Sequence, residues 1–206
     1  MRSSKDHWTA IYQKYPAGEL SWFQAKPTCS LALIEAAGLA RSDPILDVGG
    51  GASLLVDHLL DGGYQDITVL DLAAPALDAV RARLGARVQA ITLLHADVAR
   101  FVPPRRRYAL WHDRALLHFL TSAAERRRYL RALAASLRPG GHVVIATFAP
   151  DGPARCSGLE VVRYEPSVLG TMLGPRFALV RVEREAHVTP RGAVQSFQYS
   201  LFRAAA

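Results

Sequence analysis

A chain of 206 residues, half of them apolar, fits one domain with a sizeable core and room for a short appended segment. Its formal charge is +7, but the only lysines are Lys5, Lys14 and Lys26, and the arginine runs at 105–107 and 126–128 lack interleaved aromatics, which disfavours nucleic acid as a partner. No apolar run approaches a membrane span and MRSSKDHWTA lacks the apolar core of a signal peptide, so a cytoplasmic protein with no membrane partner is expected. Cys29 and Cys156 lie far apart without CxxC or Cys/His spacing; free thiols, and no structural zinc, are expected.

In chain order, an aromatic arm over 1–26 carries WTAIYQKY and SWFQ, and the remainder, 27–206, reads as one α/β domain. Segment 27–37 has helical composition, with Pro27 suited to a first turn and Gly38 to a stop. Strands and helices then alternate: a strand at 44–48, a helix at 54–60 ending at Gly62 and Gly63, a strand at 67–72, a helix at 75–84 and a strand at 88–97. YALWHDR (108–114) is a fourth strand, followed by the short helical segment ALLHFL. Ser122 or Thr121 caps the next helix, with Glu125 placed for a capping box and RPGG as its stop at Pro139. HVVIATF is the fifth strand. Apolar strands flanked by helices indicate a parallel sheet covered on both faces. FALVRVEREAHV and AVQSFQYSLFR, joined by TPRG, close the chain as an antiparallel hairpin.

The stretch ILDVGGGAS at 45–53 places a carboxylate and three glycines where a strand turns into a helix. A phosphate-binding P-loop needs a lysine after the glycines and none follows; the dinucleotide fingerprint GxGxxG fails because Leu54 holds its third position. What remains is DxGxGxS, formed by Asp47, Gly49, Gly51 and Ser53, with Gly50 between the glycines. In an open parallel sheet, ligands bind beyond the carboxyl ends of the strands. There the sequence gathers Asp47, Asp71 at the end of strand 2, Asp97 at the end of strand 3, and His112 with Asp113 at the end of strand 4. A carboxylate such as Asp71 can accept from two neighbouring hydroxyls of a ribose, and Asp97 with Ala96 and Val98 suits an adenine edge. Helix capping by Asp71 and a purely local role for Asp47 are the plainer alternatives. His95 reads as a wall or surface residue and His118 as a packed one.

These residues resemble the class I S-adenosylmethionine-dependent methyltransferases over roughly 27–203. ILDVGGGAS resembles the family's first motif, VLDL its ribose-binding acid, HADV its adenine-binding motif and RPGGHVVI the start of strand 5. Ser53 stands where many members carry a third glycine. The resemblance implies a Rossmann-like three-layer α/β/α sandwich with a seven-stranded, mostly parallel sheet and an antiparallel C-terminal hairpin. It also implies S-adenosyl-L-methionine as cofactor, held by Asp47, Gly49, Gly50, Gly51, Ser53, Asp71, Leu72, Ala96, Asp97, Val98 and His112. W…Y…SWFQ with GGYQDITVLDLA is similar to a subgroup including lysine methyltransferases of the methyltransferase-like group and, more distantly, thiopurine methyltransferases. In that likeness the arm folds over the cofactor, with Trp22, Phe23 and Gln24 as lid and Trp8 and Tyr12 packing it. The other reading of Trp8 and Trp22 is a plug at the core edge.

WHDR replaces the [DN]PP[YF] tetrapeptide of amino methyltransferases acting on DNA adenine, which argues against that substrate class. His112 and Asp113 are the candidates to contact the cofactor's methionine part or the substrate. Arg114, with Arg155, Arg163 and Tyr164 from the loop FAPDGPARCSGLEVVRY, is expected at the acceptor, which is a small molecule or a protein lysine. No Cys or His array for a metal is present. A non-catalytic cofactor-binding module and an NAD(P)-dependent reductase, the latter weakened by the failed GxGxxG, are the alternatives.

Overall fold

The computed structural model describes residues 3–206. Helix α1 (Ser4–Lys14) starts under Ser3, whose hydroxyl accepts from the Asp6 amide at 3.2 Å. A single 3-10 turn (Ala17–Glu19) and an extended strap lead to α2 (Thr28–Ala36). Then follow β1 (Ile45–Val48), α3 (Leu55–Asp61), β2 (Ile67–Asp71), α4 (Ala74–Leu84), β3 (Ile91–His95), β4 (Tyr108–Arg114), α5 (Ala123–Ser136) and β5 (Leu137–Phe148). A two-residue-per-strand hairpin, β6 (Arg155–Cys156) and β7 (Leu159–Glu160), precedes α6 (Pro166–Leu173), β8 (Phe177–Val188) and β9 (Val194–Ala204).

The seven-stranded sheet is ordered β3-β2-β1-β4-β5-β9-β8, with β1 to β5 parallel and β9 antiparallel to both β5 and β8. Central strands ILDV and ITVLD are buried at every position, as continuous apolar runs covered on both faces should be, whereas edge strand β3 has no buried position and edge strand β8 is mostly exposed. Leu33 of α2, Leu55 and Leu59 of α3 and Val80 of α4 pack on one face with Leu110, Val144 and Phe197. On the other, Tyr129 and Leu133 of α5 and Leu169 of α6 meet Leu46, Trp111 and Ile145. This is the Rossmann-like layering with an antiparallel hairpin. Among the described residues no helix is long and apolar enough to cross a membrane.

Several boundaries move. The third strand is shorter than 88–97 because Gly85–Ala90 forms a 3-10 segment. Helix α5 ends at Ser136, before RPGG: Leu137 is already extended, and Arg138 is steered away from helix by the proline after it. RPGG therefore lies inside β5, and Gly140 takes φ +70°. Ser122 caps α5 through the Ala124 amide at 3.2 Å, while Glu125 lines the cavity described below.

Candidate active site

Parallel pairing places β2 on one side of β1 and β4 on the other, so a crevice opens above their carboxyl ends. A cavity of about 620 Å³ occupies it. Its lining includes Trp22, Phe23, Asp47, Gly49, Gly50, Ser53, Asp71, Leu72, Ala96, Asp97, Val98, His112 and Arg114, residues scattered over ninety positions of sequence that the fold gathers into one space.

Register explains the floor. Asp47 lies beside His112, and the His112 Nδ1 meets Asp47 Oδ1 at 2.7 Å. A carboxylate only accepts, so Nδ1 carries the proton; in the neutral ring Nε2 then accepts from the Ser30 hydroxyl at 2.9 Å. All three side chains are buried, and the arrangement fixes one Asp47 oxygen while the other faces Gly50. Asp71 is likewise buried, its Oδ2 accepting from the Gly51 amide and its Oδ1 from the Ala73 amide, both at 2.8 Å. Burial pushes its carboxyl up to about 6 against the pull of those amides.

The glycine turn is shaped by protein as much as by any ligand. Gly49 and Gly51 take φ of +65° and +55°, a region that costs other L-residues about 1–2 kcal/mol. A Cβ on Gly49 would stand 2.5 Å from Leu116 Cδ1, one on Gly50 2.5 Å from Asp47 Oδ2, and one on Gly51 inside the Tyr12 hydroxyl. Gly51 thus meets the arm, not the open cavity. Ser53 accepts from the Leu55 amide at 3.1 Å and so starts α3. Arg83 of α4, which nothing in the motif reading singles out, donates to Ala52 and Ser53 carbonyls at 3.1 and 2.8 Å while paired with Asp57 at 2.8 Å.

The arm forms the roof. Trp8 meets Trp22 edge-on at 5.7 Å between ring centroids and Phe119 at 4.8 Å. Core side chains hold the strap through its carbonyls: His187 Nε2 reaches Ser21 O at 2.7 Å, Arg114 Nη1 donates to Trp22 O at 2.9 Å, and His58 Nε2 reaches Ala25 O at 2.9 Å.

Besides Gly51, four expected members are not brought to this cavity. Asp113 lies on the opposite face of the sheet, because successive strand residues alternate: Leu110, His112 and Arg114 face α2 and β9, while Trp111 and Asp113 face α5. Asp113 is fully buried and accepts from the Leu116 and Leu117 amides and the Tyr129 hydroxyl at 2.9, 3.1 and 2.7 Å; burial pushes its carboxyl up to about 6. Arg155 is exposed and donates to Gly158 O, Arg163 donates to Pro150 and Gly152 carbonyls, and Tyr164 is packed in the core beneath α6. That loop instead contributes Cys156, Leu159 and Glu160. Its hairpin turns through Ser157 and Gly158 at φ +51° and +79°, the pair of positive torsions of a type I′ turn. His118 is packed as expected, and burial pushes its imidazole down to about 3. His95 touches Leu72 O from the surface at 3.0 Å.

A doubly wound sheet in this order, with a glycine turn after β1 and a buried acid closing β2, defines an α/β protein of the nucleoside-cofactor-binding type. Residues 45–141 match the family described as a methyltransferase domain. The N-methyltransferase NodS from Bradyrhizobium japonicum WM9, in complex with S-adenosyl-L-homocysteine, is similar with a TM-score of 0.75 and 18% identity over 97% of this chain and 99% of that one. The Burkholderia thailandensis 1,6-didemethyltoxoflavin-N1-methyltransferase, with bound 1,6-didemethyltoxoflavin and S-adenosylhomocysteine, gives 0.69 and 22% over 95% and 81%. A third structure, from work on conversion of a disulfide bond into a thioacetal group during echinomycin biosynthesis, gives 0.79 and 19% over 98% and 94%. At these identities the likeness is one of fold. No curated protein matches this sequence. Residues 45–141 thus match a methyltransferase-domain family, within a fold that the chain shares with S-adenosylmethionine-dependent methyltransferases.

Proposed function

We propose that this chain is a class I S-adenosylmethionine-dependent methyltransferase that methylates a small molecule received in the cavity beneath the arm, with 1–26 as lid and 27–206 as the transferase domain. The observation that carries this is the cavity itself. Its volume of about 620 Å³ is in the range of small-molecule sites, and a roof of Trp8 and Trp22 favours an acceptor that enters whole over a lysine presented on a protein surface. The Burkholderia neighbour, crystallised with bound 1,6-didemethyltoxoflavin, supports the same reading. The lid role of Trp22 and Phe23 follows the resemblance carried by SWFQ.

The donor set suits the cofactor. Each Asp71 oxygen takes one backbone N–H, which leaves a lone pair on each for the two hydroxyls of a ribose. Leu72, Ala96 and Val98 supply an apolar slot for adenine, with Asp97 at its amine. Asp47, braced by His112, keeps one oxygen for the cofactor's ammonium, and the backbone at Gly49 and Gly50, whose amides both donate to Leu70 O, lines the space beside it. When bound, S-adenosylmethionine supplies a methyl on a sulfonium: the acceptor's lone pair forms the new bond, the methyl–sulfur pair returns to sulfur, and an acceptor proton leaves to solvent. The residues of this chain align the two reactants and keep water out, an effect of about 7–11 kcal/mol when geometry is well held.

Calorimetry of S-adenosylhomocysteine binding, wild type against Asp71→Ala, with thermal melting to verify folding, tests this. Micromolar binding lost in the variant is expected. Binding of NAD(P)H in its place would overturn the reading. Tight cofactor binding with no methylated product from any small acceptor would leave the non-catalytic module.

A further inference from the structure

The end of the cavity away from Asp71 carries hydrogen-bonding capacity that the protein does not use. Besides His7 Nε2 on the arm, Gln24 Oε1, Arg114 Nη2 and Gln195 Oε1 are buried without hydrogen-bond partners, and all belong to residues lining the cavity. A buried polar atom left unpaired costs about 1–3 kcal/mol, and native proteins keep few of them. Their grouping at one end of one cavity points to a ligand that completes them.

The chemistry of that ligand can be read from the set. Gln24 Nε2 donates to Glu185 Oε1 at 2.7 Å; a carboxylate cannot donate, so the amide orientation is fixed and Gln24 offers a carbonyl. Arg114 offers an N–H, its other nitrogens being spent on Tyr199 Oη at 2.8 Å and Trp22 O. Its charge is already faced by Glu185, 3.8 Å from Nη2, which also accepts from the Tyr199 hydroxyl at 2.8 Å. A carboxylate ligand would bring a second negative charge towards Glu185 and towards Glu160 on the cavity wall, and an ammonium would meet Arg114. A hydrocarbon would leave all three groups unpaired. Trp22 on the arm supplies a flat wall, while the Arg114 guanidinium is steadied by Phe197, 4.6 Å from its ring centre.

Resting on the methyltransferase reading of this cavity, we propose that the acceptor is an uncharged planar ring bearing an N–H beside a carbonyl, a lactam or ureide edge. It lies against Trp22, its N–H directed to Gln24 or Gln195 and its carbonyl to Arg114.

The test uses the full-length protein saturated with S-adenosylhomocysteine, whose binding is measured first. Ligand-observed NMR then ranks uracil and 2-pyridone against benzoate, benzylamine and toluene, in wild type and in Gln195→Met, which keeps the bulk and removes the carbonyl. The lactams should bind at least about tenfold tighter than the other three, a difference of about 1.4 kcal/mol, and that preference should shrink in the variant. Equal or tighter binding of benzoate, benzylamine or toluene, or no binding of either lactam to cofactor-loaded wild type, overturns the proposal and leaves the methyltransferase reading intact. Failure to bind S-adenosylhomocysteine at all strikes that reading instead. The wild-type ranking decides the matter even if Gln195→Met fails to fold.

Discussion

Gly51 offers the sharpest separation between two reasons for a glycine. If it is small so that a ligand can approach the turn, the arm is irrelevant to it; if it is small so that the arm can close, Tyr12 decides. In Gly51→Ala the new methyl would fall inside the Tyr12 hydroxyl and 3.1 Å from Cζ, on a residue held at φ +55°. The torsion alone costs about 1–2 kcal/mol. The hydroxyl clash adds to it by forcing Tyr12 off the turn and, with it, the Trp22 ring 6.1 Å away. Removing the hydroxyl relieves the overlap but not the torsion, because a Cζ contact of 3.1 Å needs a shift of only a few tenths of an ångström. Calorimetry should therefore give S-adenosylhomocysteine affinity at least about tenfold weaker in Gly51→Ala. In Tyr12→Phe/Gly51→Ala part of that loss should return, with a coupling of about 1 kcal/mol or more between the two positions. Strictly additive effects would refute the reasoning and return Gly51 to the ligand.

Asp71, held near 6 by burial, should make S-adenosylhomocysteine binding pH-dependent, since only the ionised carboxylate keeps both oxygens as acceptors: affinity should fall roughly tenfold between pH 7.5 and pH 5, where about one site in eleven is ionised, and Asp71→Asn should flatten the curve. The same raised value has the opposite sign for stability. The folded state binds this proton more tightly than the unfolded chain, so Asp71's contribution is full below the ordinary 3.8 and is lost as pH rises to about 6, which chemical denaturation across that window measures in wild type against Asp71→Asn. Asp113→Ala strands two amides and the Tyr129 hydroxyl and should lower stability by about 3 kcal/mol in urea unfolding while leaving cofactor affinity unchanged. Lost affinity with unchanged stability would put Asp113 back in the site.

The sheet was legible because its central strands are short apolar runs between turn signals, and strands buried on both faces have nowhere to hide a polar residue except at their ends. That is why Asp47, Asp71 and Asp97 stood out, and why they line the cavity. The error at WHDR has the same origin: a strand end gathers polar residues on both faces, and only the period of two separates His112 and Arg114 from Asp113. Nothing in the sequence marks Tyr164 as core, because a tyrosine in a polar loop gives no sign that its ring is buried beneath α6. Ser30, Gln195 and Phe197 carried no signal, since α2 and β9 reach the cavity only through the order of strands. Arg83 was equally silent: one arginine on a helix face looks like any other until α4 lies against the glycine turn.

Closure and recognition share one set of side chains. Arg114 donates to the Trp22 carbonyl of the strap with Nη1, to Tyr199 with Nε, and has Nη2 left over. Gln24, on the strap itself, is held to the sheet by Glu185 and presents its carbonyl on the same side. The arm is therefore fixed largely through its backbone, by His187, Arg114 and His58 from three different elements, and its side chains remain free to face the ligands. On the proposed reading, an acceptor that pairs with Gln24 and Arg114 also braces the strap over the cofactor, so the ternary state is better closed than the binary one. Cofactor release then requires breaking contacts that the acceptor helps to hold, and by linkage the factor by which acceptor tightens cofactor must equal the factor by which cofactor tightens acceptor.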